Sequence, residues 1–249
     1  MQAARIQVCG RISIAFGGRP LGADLPGRQG RLLFVYLVLN RTRAAGREEL
    51  AAAIWPDTAP ARASSNLRVI VSRLRTALGP DVLEGRGDLR LVLPGGAWVD
   101  MEAAALKIHE AESAIHAGDW SRALPAATIA GTISGRGFCS GEDAEWVVEQ
   151  RRWLEDVHVR ALECDASASL GIGGSEVAAA EQVARRLIRL APFRESGHRL
   201  LMRALVLRGN GAEALVVYER LRRALRDELG ASPSAATQAV HQDLLRDGA

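Results

Sequence analysis

Between Ala61 and Leu78 the sequence ARASSNLRVIVSRLRTAL fits one regular structure, and its chemistry narrows what the chain can be. At about 100° per residue, Ala63, Leu67, Ile70, Val71, Leu74 and Leu78 fall on one face of a helix. Arg62, Ser65, Asn66, Val69, Ser72, Arg73 and Thr76 fall on the opposite face, with Arg68 and Arg75 on its flanks. The apolar stripe is what any amphipathic helix buries. The polar face is unusual because it holds no acid. Arg, Ser, Thr and Asn all hydrogen-bond to phosphates or base edges, so the face suits double-stranded DNA. Val69 is apolar yet faces outward, as contact with a thymine methyl requires.

Charge along the chain supports the same partner. Residues 1–100 hold 14 arginines, no lysine and 8 acids, a net of +6. Residues 101–249 hold 18 bases against 21 acids, a net of −3. Opposite signs in two segments suggest two modules, one facing a polyanion. Only one of the 32 bases is lysine, and the arginine fork matches phosphates and guanine edges. A base composition rich in Arg codons explains that ratio equally well, but not the asymmetry.

The surrounding pattern places this helix. Residues 5–16 alternate through Ile6, Val8, Ile12, Ile14 and Phe16 with Gly10 between, which reads as two short strands. Residues 28–40 are an apolar run read as a buried helix, and 47–55 a short helix closed by Pro56. After the basic helix, Val82–Glu84 and Leu89–Leu93 flank Gly85-Arg86-Gly87-Asp88, the pattern of a hairpin. Small sheet, helix, short helix, basic helix and hairpin, in that order, describe a winged helix-turn-helix over residues 1–97. Arg62, Ser65, Asn66, Arg68, Val69, Ser72, Arg73 and Arg75 are then its groove-facing candidates. Arg86 and Arg90 are those of the hairpin wing.

Past Pro94-Gly95-Gly96 the pattern is almost continuously helical. Helices are expected near 101–117, 119–134, 142–170, 175–190, 194–208, 211–228 and 234–246. Small residues at the expected crossings resemble tetratricopeptide-type stacking. The fold expected is mainly α, with an all-α domain over 98–249.

Sharper readings meet blander ones. His109, Glu112 and His116 share a helical face and are metal-ligand types, but exposed polar positions account for them. Cys139 has no neighbouring base to activate it as a nucleophile. Gly171-Ile172-Gly173-Gly174 lacks the lysine of a phosphate loop and reads as a linker between helices. Trp55, Trp120, Trp146 and Trp153 read as packing residues, and Trp98 as support for the domain junction. No catalytic constellation, cofactor site or metal site is expected. The longest apolar run, Leu32–Leu39, is far short of the roughly 20 residues that span a bilayer. The first residues carry no apolar signal core, and the three cysteines form no CxxC pair. A cytoplasmic, nucleoid-associated protein is expected.

Against this background the chain resembles a known family. GRQGRLLFVYLVLN, REELAAAIWPDTAPARASSNLRVIVSRLRTALG, WVDMEAA, HAGDWSRAL and EWVVEQRRWLEDVHVRALE match in family order. So does the block from Ala191 to Ser234, ending in ELGASPS. These segments are similar to the small Streptomyces antibiotic regulatory proteins, which join an OmpR-type winged helix to a bacterial transcriptional activation domain. The resemblance implies head-to-tail binding to tandem direct repeats as a homodimer on DNA. It also implies contact with RNA polymerase beside a promoter's −35 region. Where the family wing carries Gly-Tyr-Arg-Leu, this chain has Gly87-Asp88-Leu89-Arg90-Leu91. Nothing resembles the nucleotide-binding repeats of larger relatives, so no ATP site is implied. The competing function is a protein-interaction scaffold in which the winged helix only packs.

Overall fold

The computed structural model describes residues 4–16, 18–21, 25–56, 61–79 and 81–247. The chain divides into two compact units, and the division is not sequential. One unit is Met1–Ala103 together with Arg136–Leu154; the other is Ala104–Gly135 with Glu155–Ala249.

In the first unit, the alternation over residues 5–16 becomes β1 (Arg5–Gln7) and β2 (Ser13–Phe16), antiparallel, with Ile6 opposite Ile14. β3 (Arg19–Pro20) extends the sheet on the β2 side. The apolar run forms α1 (Gly27–Leu39), which buries Leu32, Leu33, Phe34, Val35, Leu37 and Val38. α2 (Arg47–Ile54) carries Glu48 and Glu49 in its first turn, where acids oppose the positive end of the helix dipole. α3 (Ala63–Leu78) buries Leu67, Val71, Leu74 and Leu78, while Ala63 and Ile70 lie at the edge of the stripe. β4 (Leu83–Glu84) and β5 (Arg90–Leu91) pair antiparallel as the hairpin.

Two features of this unit have no periodic signal. β6 (Trp98–Val99) runs parallel to β1, giving the sheet order β3-β2-β1-β6. The Arg5 guanidinium lies 4.6 Å from the Trp98 ring centre. This pairing brings Asp100, fully buried, to the end of β1, where the Val8 and Cys9 amides donate to its two oxygens at 2.9 Å each. The other feature is Arg136–Leu154, which a split at residue 97 would place in the second domain. Cys9 bridges Phe138, the Gly10 amide donates to the Gly137 carbonyl at 2.9 Å, and the Trp146 indole donates to the Ala53 carbonyl at 3.0 Å. Trp146 also meets Tyr36 and Phe138 edge-on, at 5.2 and 6.2 Å between ring centres.

The second unit is helical. α4 (Asp100–His116) belongs to it from Ala104 and α6 (Glu145–Ile172) from Glu155, and with α5 (Trp120–Ser134), α7 (Glu176–Leu190), α8 (Glu195–Leu207), α9 (Gly211–Leu229) and α10 (Ala235–Asp247) they follow the expected series closely. A core of Leu187, Leu200, Leu201, Met202, Leu205, Val217 and Tyr218 joins α7, α8 and α9, with Leu162, Ala166 and Val240 against it. The glycine linker starts later than its sequence suggests. Gly171 lies inside α6, and a Cβ there would sit 2.3 Å from the Trp120 ring. The turn itself is Gly173-Gly174, both at positive φ.

Candidate nucleic-acid interface

The interface candidates sit on α3 and the hairpin. Burying Leu67, Val71, Leu74 and Leu78 forces the opposite face outward. Arg62, Ser65, Asn66, Arg68, Ser72, Arg73 and Thr76 are all exposed, and Val69 is 50% exposed. The Ser65 hydroxyl donates to the Arg62 carbonyl at 2.9 Å and that of Thr76 to the Ser72 carbonyl at 3.1 Å, leaving each oxygen free to accept. Among the described residues, the side chains of Arg62, Arg68, Arg73 and Arg86 have neither a carboxylate partner nor an intramolecular hydrogen bond. Among the described residues nothing compensates their charge, as a phosphate-binding surface needs.

Arg75 is different. It is half-buried, and its guanidinium donates to the Leu83 carbonyl at 3.3 Å and to the Gly85 carbonyl. Its donors hold the hairpin on α3. Arg90 pairs with Glu84 across the hairpin at 3.0 Å, with both side chains about half exposed. An exposed pair of this kind contributes roughly 0–1 kcal/mol, so exchanging the carboxylate for a phosphate costs little.

The hairpin tip is fixed from two sides. Arg47, at the start of α2, donates to the Arg86 carbonyl at 2.6 and 3.1 Å. Gly85 has φ +91, and a Cβ there would lie 1.9 Å from the Asp88 carbonyl oxygen, so the tip turns only with glycine. Leu89 and Ala45 exchange backbone hydrogen bonds at 2.8 and 2.9 Å, tying the hairpin to the α1–α2 loop. Leu89, beside the place of the family tyrosine, is fully buried. Arg47 was not among the sequence candidates. A residue whose work is to hold a carbonyl of another element leaves no periodic signal.

Of the remaining chemical candidates, Glu112, His116 and Cys139 are tied up by the fold, while His109 is exposed. Glu112 is held by Arg160 through two hydrogen bonds of 2.7 Å. His116 Nδ1 lies 2.8 Å from the Glu112 carbonyl. Among the described residues no group of three or more His, Cys, Asp or Glu could hold a metal ion. Burial pushes the Cys139 thiol up to about 12, and burial with the nearby Asp100 carboxylate pushes Cys9 up further. Neither is a thiolate near neutral pH. Among the described residues no helix is long and apolar enough to cross a membrane.

A winged helix-turn-helix with an acid-free outer face, joined to a helical unit, is the architecture of a two-part transcriptional regulator. Residues 23–87 match the C-terminal domain of transcriptional regulatory proteins, and residues 99–245 match the bacterial transcriptional activator domain. The chain belongs to the bacterial transcriptional activator domain family and, within it, to the Streptomyces antibiotic regulatory proteins. It is 32% identical over 245 residues to the regulatory protein AfsR of Streptomyces griseus, covering 98% of this chain and 25% of that one. It is 28% identical over 194 residues to the transcriptional regulator RedD of Streptomyces coelicolor, covering 75% of this chain and 48% of that one. The chain thus spans about a quarter of AfsR and about half of RedD. The structure of Mycobacterium tuberculosis EmbR in complex with a low-affinity phosphopeptide shares the fold. Its TM-score is 0.82 at 23% identity, covering 99% of this chain and 66% of that one.

Proposed function

We propose that the chain is a sequence-specific, DNA-binding transcriptional activator. The observation that carries this reading is the exposed, acid-free face of α3, with Arg68 and Arg73 unpaired among the described residues, beside a hairpin held at its tip. In this reading α3 enters the major groove. Arg73 contacts guanine, while Ser65, Asn66, Val69 and Ser72 shape the rest of the readout. Arg62, Arg68 and Arg90 contact phosphates, and Arg86 flanks the minor groove, where a narrow A·T tract attracts arginine. Arg75 positions the wing.

Residues 1–97 supply DNA reading and residues 98–249 supply activation through RNA polymerase and a second protomer. The net charge of −3 over residues 101–249 suits protein partners better than DNA. Stacked helices present extended surfaces for such partners. Family membership supports tandem direct repeats bound head-to-tail, with centres about 10–10.5 base pairs apart. Such a protein works in the cytoplasm, on the nucleoid, without a cofactor.

The test is a mobility-shift titration on the promoter region beside the gene, with an otherwise identical DNA in which half a turn is inserted between repeats. Cooperative binding is expected on the first and not on the second. Cooperativity retained across the insertion overturns the head-to-tail arrangement, and absence of any sequence-specific shift overturns DNA reading in favour of a scaffold.

A further inference from the structure

The second unit carries a cleft that the DNA-reading function does not use. It lies among α7, α8 and α9 and has a volume of about 270 Å³. Ile188, Leu201 and Val217 make an apolar floor, and Arg185, Arg189 and Arg220 stand around it. No acid lines it, although residues 101–249 are acidic as a whole.

The three arginines are not equivalent. Arg185 is neutralised by Glu181 at 2.9 Å and Glu213 at 2.6 Å. Arg189 and Arg220 are exposed, and among the described residues neither has a carboxylate partner. The remaining wall is His198, 7% exposed, whose Nε2 lies 2.9 Å from the Pro192 carbonyl. That bond makes Nε2 the protonated nitrogen and leaves Nδ1 a buried acceptor without a partner. Burial drives the His198 pKa down, so the ring stays neutral near pH 7. Among the described residues that line the cleft, its free charge therefore comes from Arg189 and Arg220.

We propose that this cleft binds a small organic carboxylate with an apolar body, the carboxylate held by Arg189 and Arg220 and the body by Ile188, Leu201 and Val217. Two free guanidiniums at the edge of an apolar floor fit a group that is charged at one end only. The volume lies just below the roughly 300–1,000 Å³ of drug-sized sites, which limits the ligand to one ring or a short chain. A bare anion would forgo the floor, and a neutral apolar molecule would leave both guanidiniums unpaired. The site would give the second unit a metabolite input that does not depend on DNA reading.

The test uses the full chain and methyl-resolved NMR of Ile188, Leu201 and Val217. The probe is 3-phenylpropanoate, with 3-phenylpropanamide and inorganic phosphate as comparators. The acid should give saturable shifts centred on those three methyl groups, and both comparators should bind at least about tenfold more weakly, ~1.4 kcal/mol. The paired substitution Arg189→Gln with Arg220→Gln should weaken the acid by the same factor while the other methyl signals stay in place. Arg203→Gln, an exposed arginine outside the cleft lining, should leave binding unchanged. No saturation by the acid, equal binding of the amide, or unchanged affinity in the paired variant would each overturn the proposal.

Discussion

Arg73 and Asp100 show how much can rest on one side chain. Arg73 lies near the middle of the exposed α3 face, and among the described residues its guanidinium makes no hydrogen bond or ion pair. Replacing it with alanine should leave stability unchanged, cost about 1–3 kcal/mol in specific binding and relax the preference at one base position. Titrations against specific and random DNA check this. Equal losses on both would make Arg73 a phosphate contact. Asp100 is the reverse case, engaged entirely by the fold. Its oxygens take the amides of Val8 and Cys9, both residues fully buried, and also that of Met101 at 2.9 Å. Asp100→Ala leaves the two buried amides just beyond β1 without an acceptor, at about 1–3 kcal/mol each, so urea unfolding should show a loss of about 3 kcal/mol or more. Asp100→Asn keeps one acceptor and should fall between. A loss below ~1 kcal/mol would mean that water replaces the carboxylate.

At the level of elements, the helices were the legible part. Each has apolar residues three and four apart, all but α1 have a glycine or proline just past the last turn, and that signal survives whatever the helix packs against. The outward face of α3 was legible for the same reason, since four buried aliphatics determine where the other side points. β6 was not legible. A two-residue strand after Pro94-Gly95-Gly96 has no periodicity to read, and it exists because β1 offers a free edge. The parts played by Arg75 and Arg47 were hidden too, because helical spacing says nothing about carbonyls on another element. Those two arginines and Gly85 make the wing a placed structure. Gly85→Ala would require a Cβ 1.9 Å from the Asp88 carbonyl oxygen at φ +91, strain worth about 1–3 kcal/mol. The tip must shift, carrying Arg86 with it. DNA affinity should fall while helix content by far-ultraviolet circular dichroism stays constant. Unchanged affinity would show that the wing tip does not touch DNA.

At the level of the whole molecule, sequence order misleads about what folds with what. A cut near residue 100 looks natural, because charge and periodicity both change there. Yet Arg136–Leu154 belongs to the first unit by packing. It supplies Phe138, 1% exposed, and Trp146, whose indole donates to the Ala53 carbonyl and whose ring meets Tyr36. It also supplies Glu142, held by Arg28 through hydrogen bonds of 2.6 and 2.7 Å. Removing one large aromatic from a packed site costs about 3–5 kcal/mol, against a total stability of about 5–15 kcal/mol for a domain. A fragment of residues 1–103 loses both aromatics at once. It should therefore melt far below the first unit of the full chain and bind specific DNA poorly. Trp146→Ala in the full chain should fall between the two. Activation lost in such a fragment would then report unfolding as much as a missing activation surface. Substitutions on exposed residues of the second unit, with DNA affinity measured alongside transcription by purified polymerase, separate the two effects. A fragment that keeps the full chain's melting temperature and DNA affinity would show that Arg136–Leu154 is dispensable, and truncation would then be a fair test of activation.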